Sequence, residues 1–146
     1  MSRTAAAVLI SGFAVMLAAC GSAPQLRSGD GRLAPCGDPN CVSSQDADPA
    51  RRVEPIRYEG TREGAQQLLA SIISRTEGAQ IVDNQPGYIH ATYTSKVLGF
   101  VADVELVFPP QKFVDVRSAS RTGYYDFDVN RKRVEDLRKA FNDRQP

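Results

Sequence analysis

The sequence predicts an α+β domain: a small antiparallel sheet of four to five strands with two helices packed on one face. Three observations lead there. Apolar residues recur at helical spacing over 65–73 and again over 134–141. Between these stretches lie several runs rich in β-branched and aromatic residues. Short turns bearing Gly or Pro separate the runs, and no crossover helix intervenes, so neighbouring strands run antiparallel.

In chain order, Ile56–Tyr58 forms a short first strand, and Gly60 and Thr61 open a helix with Thr61 as its N-cap. Ala65, Leu68, Leu69, Ile72 and Ile73 make its buried face, and Gly78 closes it in the C′ role. Ala79–Asp83 is the next strand, turned by Asn84–Gly87 into Tyr88–Val97. After Gly99, Phe100–Phe108 alternates: Phe100, Ala102, Val104, Leu106 and Phe108 on one face, Val101, Asp103, Glu105 and Val107 on the other. Pro109-Pro110 break the run before Lys112–Ser120, where Val114 and Val116 share a face with Ser118 and Ser120, opposite Arg117. The last helix runs from Asn130 to about Asn142, with Asn130 as N-cap, Val129 and Val134 as a hydrophobic staple, and Val134, Leu137 and Phe141 as its apolar stripe.

Ahead of this domain, Arg3 and the apolar run Ala5–Ala19 have the layout of a secretory signal, too short to span a bilayer. Leu17-Ala18-Ala19-Cys20 followed by Gly21-Ser22 resembles a bacterial lipobox, which implies cleavage before Cys20 and acylation of its sulfur. Each buried acyl CH₂ contributes about 0.8 kcal/mol, so several chains hold firmly. The absence of an acid at position 21 points to the outer membrane, by analogy with well-studied envelopes. The organisation expected is therefore a signal peptide over 1–19, an acylated flexible tether over 20–52 and a single domain over 53–146.

Of the 146 residues, 127 remain after the leader, enough for one modest core. Their charges balance at 17 basic against 17 acidic, which excludes a general nucleic-acid binder. One His and three Cys exclude most multi-ligand metal sites, and no cofactor is expected. Within the tether, Cys36 and Cys41 bracket the turn formers Asp38, Pro39 and Asn40. In an oxidising compartment this spacing favours a structural disulfide, worth about 2 kcal/mol by loop entropy.

Two places break local rules. Arg117–Gly123 puts small hydroxyl residues where a strand wants β-branched ones, and Arg131-Lys132-Arg133 sets cations against the helix dipole. With these, Cys36–Ser44 (CGDPNCVSS), Leu98–Glu105 (LGFVADVE) and Arg117–Arg133 (RSASRTGYYDFDVNRKR) resemble the three signatures of the bacterial and plastid domain-of-unknown-function family numbered 1499. The resemblance covers about Pro35–Phe141. One departure is that Val101-Ala102 precede Asp103, where the family tends to show two adjacent acids. The resemblance implies very little about activity.

The candidate binding residues are Asp103, Arg117, Ser118, Ser120, Arg121, Tyr125, Asn130 and Arg131. Arg117, Arg121, Arg131 and Arg133 are expected to converge at one end of the sheet, either as an anion site with stacking from Tyr124 and Tyr125, or as a corner salt-bridged by Asp115, Asp126 and Asp128. Asp103 and Glu105 point off the same face, and cross-strand pairing with Arg117 or Arg121 is favoured over acid–base chemistry. His90 is expected to be half-exposed. These features lead to a lipid-anchored, periplasm-facing envelope protein that binds an envelope protein or an anionic ligand without catalysis. The alternative is a small hydrolase or transferase using Asp103 or Glu105 with Ser118.

Overall fold

The computed structural model describes residues 26–27 and 31–145, so the signal peptide and the acylation expected at Cys20 lie outside the described residues. The elements are β1 (Cys41–Ser43), β2 (Ile56–Arg57), α1 (Arg62–Ser74), β3 (Ala79–Gln85), β4 (Tyr88–Thr94), β5 (Val101–Val107), β6 (Phe113–Ser120) and α2 (Val129–Asn142). Among the described residues these strands all pair antiparallel, in the order β1-β6-β5-β4-β3, with β2 also on β6. The α+β architecture stands, with six strands among the described residues rather than four or five.

The additional strand is β1, and it corrects the tether. From Leu33 the chain is part of the domain: Leu33, Ala34, Cys36, Asn40 and Val42 are buried, and Cys41–Ser43 pair with Arg117–Ala119. The disulfide joins Cys36 to Cys41, with Cα atoms 5.5 Å apart. Together β1 and β2 cover most of the outer edge of β6, leaving little unpaired backbone there.

Helix α1 forms as expected, its Thr61 hydroxyl accepting the Gly64 N–H at 3.0 Å. Its C-cap is Arg75, so Gly78 lies beyond the C′ position and instead turns the chain into β3 at φ +74. Helix α2 also departs from expectation. Its N-cap is Asp128, with no side-chain cap bond, and Asn130 lies within the first turn. The capping work falls to Asp126, whose carboxylate accepts the Asn130 N–H at 2.8 Å.

Both helices pack on one sheet face, in a core that joins Leu69, Ile73, Val134 and Phe141 to Ile89, Val104, Leu106 and Val116. The stripes anticipated on both helices are the buried ones, except that Leu68 of α1 is only half-buried at the margin of the core. What periodicity did not reveal is the second face. There Tyr88, His90, Asp103, Glu105 and Arg117 are all buried. The Cys36–Cys41 bridge flanks this face, and the chain at Arg27 reaches it, with the Arg27 N–H on Glu105 and the Arg27 guanidinium over the Tyr88 ring.

Candidate functional site

On the second face the register sets His90 opposite Glu105, and Glu105 opposite Arg117. Asp103 is 2% exposed and takes a forked contact from Arg121, Nε to Oδ2 at 2.8 Å and Nη2 to Oδ1 at 2.9 Å. His90 Nε2 lies 2.8 Å from Asp103 Oδ1. Burial acts to raise the Asp103 carboxyl, but the hydrogen bonds from Arg121 and His90 outweigh it and hold the group at about 2. His90 is therefore a buried partner, not the half-exposed strand residue expected.

Glu105, fully buried, accepts from the Tyr88 hydroxyl at 2.8 Å and the Arg27 N–H at 2.9 Å, with Arg117 Nη1 at 3.5 Å. Burial, and then the bond to Glu105, push the Tyr88 phenol well above its usual range. Burial lowers the Arg117 guanidinium, and Glu105 and Asp103 oppose that shift. The cross-strand pairing anticipated for both carboxylates is thus the arrangement found. Each carboxylate already accepts from donors within the protein, Asp103 from Arg121 and Glu105 from the Tyr88 hydroxyl and the Arg27 N–H.

Ser118 follows Arg117 in sequence but points to the opposite face, beneath α2. Its hydroxyl donates to Asn130 Oδ1 at 2.6 Å and accepts from Arg133 Nη1 at 3.0 Å. The constellation of Asp103 or Glu105 with Ser118 therefore does not assemble. The sheet separates the acids from the serine.

Asn130 is the centre of this second network and has no solvent exposure. Its amide lies 2.8 Å from the Asn40 carbonyl, 2.9 Å from Ser120 Oγ and 2.7 Å from Asp126 Oδ2. Asn40 in turn donates to the Gly123 carbonyl. Arg133 also donates to Asn130 Oδ1 and lies over the Tyr93 ring, whose phenol burial pushes up to about 12 against the opposing Arg133 charge. Arg131 ties α2 to the segment between β1 and β2 through the carbonyls of Ala50 and Arg52.

The four arginines expected at one corner are consequently split. Arg117 and Arg121 serve the carboxylate face, while Arg131 and Arg133 serve the helix side. The acidic partners of Arg117 and Arg121 are Glu105 and Asp103; of the Asp115, Asp126 and Asp128 anticipated, only Asp126 acts on an arginine of the set, through its charge near Arg133. Among the described residues, no three His, Cys, Asp or Glu side chains come together as a metal set.

The networks hold a loop, residues 121–128, in an uncommon conformation. Phe127 and Asp128 are consecutive non-glycine residues at positive φ, +54 and +62. Such a backbone costs roughly 1–2 kcal/mol per residue and persists only where surrounding contacts impose it. The loop presents Tyr124, Tyr125 and Phe127 to solvent, Phe127 at 83% exposure, with the Tyr125 and Phe127 rings edge to face at 5.2 Å.

Beside it stands the β4–β5 hairpin tip, where Val97, Leu98 and Phe100 are exposed. The two meet where the Arg121 N–H bonds to the Val101 carbonyl. Of the residues expected at the site, Tyr125 and the Tyr124 expected to stack beside it belong to this exposed set. The hairpin tip and Phe127 were not anticipated, although apolar residues around the turn-forming Gly99 were a visible signal.

Comparison with curated proteins and with solved structures returns no match. The family model described as "Protein of unknown function (DUF1499)" matches residues 32–141, from the segment preceding the disulfide to the end of the α2 core stripe. The chain, with its three signature segments assembled around one sheet, belongs to the DUF1499 family.

Proposed function

We propose that this is a lipid-anchored cell-envelope protein, held by acylated Cys20 at the outer membrane and facing the periplasm, whose domain is a non-catalytic binding module. The observation that carries the binding role is the strained loop 121–128. Ser118, Ser120, Asn130, Arg133, Asn40 and Asp126 form a buried to half-buried network behind an exposed aromatic surface. A loop serving the fold alone would turn these rings inward, where burying each would stabilise the domain by about 2 kcal/mol. The arginines of the long signature act from behind: they brace the site, and Tyr124, Tyr125 and Phe127 meet the partner.

The test is site-specific photo-cross-linking in whole bacteria, with a benzophenone side chain at Tyr125 and a control at Gln111, at the opposite end of the sheet. Covalent adducts at position 125 and none at 111 are expected. A clean spectrum at 125 overturns the binding role. The mass of the mature chain separately reports acylation at Cys20.

A further inference from the structure

We infer that the partner of this aromatic end is the lipid surface itself: the domain rests on the bilayer interface with both loops in the headgroup region. This rests on the lipid anchor proposed above and identifies what the same site contacts. Among the described residues, eight large hydrophobic side chains are exposed, and seven belong to the hairpin tip or to the stretch from Tyr124 to Val129. The eighth, Val82, sits at the bulge in the middle of β3. Such a concentration at one end is not the scatter of single apolar residues that ordinary surfaces carry.

Three further features favour a membrane as the occupant. The first is chain length. Only six residue steps separate Cys20 from Leu26, a reach of about 20 Å fully extended. Arg27 is held at Glu105 and Tyr88. From Glu105 to Val101 at the rim is four residues, about 13 Å of strand. An acyl chain at Cys20 therefore keeps the domain within touching distance of the bilayer and lets the rim reach it. The leash also acts as a high effective concentration, so weak insertion suffices.

The second feature is which end is apolar. The opposite end, at the Pro86-Gly87 turn and Pro110-Gln111-Lys112, exposes turn-forming and polar residues and offers lipid little. The third is composition. Two Tyr, two Phe, a Leu and two Val make the amphipathic mixture that settles at the boundary of water and acyl chains. Of the nearby charges, Lys96 pairs with Glu77, Arg121 with Asp103 and Asp126 with Asn130, while the exposed Asp128 carboxylate makes no cap bond and would stay on the water side of the headgroups. Contact is thus governed by apolar insertion and not by a basic patch.

The chain contains no Trp, which makes a single-Trp reporter unambiguous. The full chain, matured in a bacterial envelope, is reconstituted into phosphatidylethanolamine–phosphatidylglycerol vesicles containing brominated lipid. Three variants are compared: Phe127→Trp, Phe100→Trp and Gln111→Trp, all at exposed positions. The expected result is blue-shifted emission and strong bromine quenching at 127 and 100, with water-like, unquenched emission at 111.

Acylated chain that floats with vesicles but shows no quenching at 127 or 100 overturns the inference and leaves the anchor standing, which would give the end to a protein partner. Quenching at 127 by a chain that mass spectrometry shows to be unacylated upholds the lipid contact and overturns the anchor. A chain that neither carries acyl groups nor floats overturns both.

Discussion

Arg121→Gln tests the energetic role of the carboxylate face. The substitution removes both charge-assisted bonds to Asp103, a group 2% exposed and unable to recruit water in their place. The Asp103 pKa falls from an ordinary 3.8 to about 2, and at 1.36 kcal/mol per unit this represents about 2 kcal/mol of net stabilisation, left after Arg121 and His90 have offset the cost of burial. Hydrogen bonds to charged groups contribute roughly 1.5–3 kcal/mol. The Arg121 side chain keeps 32% exposure, so screening places its share toward the lower end. The expected loss is about 2 kcal/mol at pH 7, or roughly 10 °C in Tm.

The pH dependence follows from the direction of the shift. The folded-state pKa lies below the unfolded one, so the contribution is complete above about pH 5 and declines as pH falls through 4 toward 2. Urea titrations of both proteins at pH 7, 5, 4 and 3 should show a constant gap down to pH 5 that narrows below it. Equal stability at pH 7, or a gap as wide at pH 3 as at pH 7, would refute the assignment of Arg121 as the group that holds the carboxylate ionised.

Other predictions follow from the same structure. Asn130→Leu leaves the Asn40 carbonyl and Arg133 without their buried partner, and should cost about 3 kcal/mol and open residues 121–128 to limited proteolysis before the rest unfolds. Cys36→Ser removes a bridge closing a short loop and should lower stability by about 2 kcal/mol, as should reductant on the wild type, while reductant leaves the variant unchanged in thermal melts. Gly78→Ala places a methyl 2.5 Å from the Thr94 carbonyl oxygen at φ +74, so a loss of at least about 1 kcal/mol is expected, against near neutrality for Gly37→Ala, where nothing lies within 4 Å.

Local pattern determined much of this protein. The alternation of Ala102, Val104, Leu106 and Phe108 marked the strand that crosses the core, and the Val134–Leu137–Phe141 spacing marked the stripe of the last helix. Period two also set Asp103 and Glu105 on a common face, close enough to Arg117 and Arg121 to pair. The alternation and the shared faces depend on residues within a few positions of one another, and backbone geometry orders them; the pairing with Arg117 and Arg121, 12 and 18 positions away, also needs the β5–β6 register.

Tertiary structure decided the rest. Alternation says that two residues face opposite ways, but not whether anything covers the second face. The buried state of His90 and Glu105 is set by neighbours from distant parts of the chain. Asn130 looked like a cap because its amide suits one. Its actual role is fixed by partners ten and ninety positions away, at Ser120 and Asn40. A three-residue strand such as β1 carries no periodicity and forms only because β6 offers it an edge. Arg117 and Ser118 are neighbours in sequence, yet the sheet gives one to the carboxylates and the other to the helix. Burial and pairing of polar groups depend on which segments the fold brings together, and that information resides in three-dimensional contacts and not in local spacing.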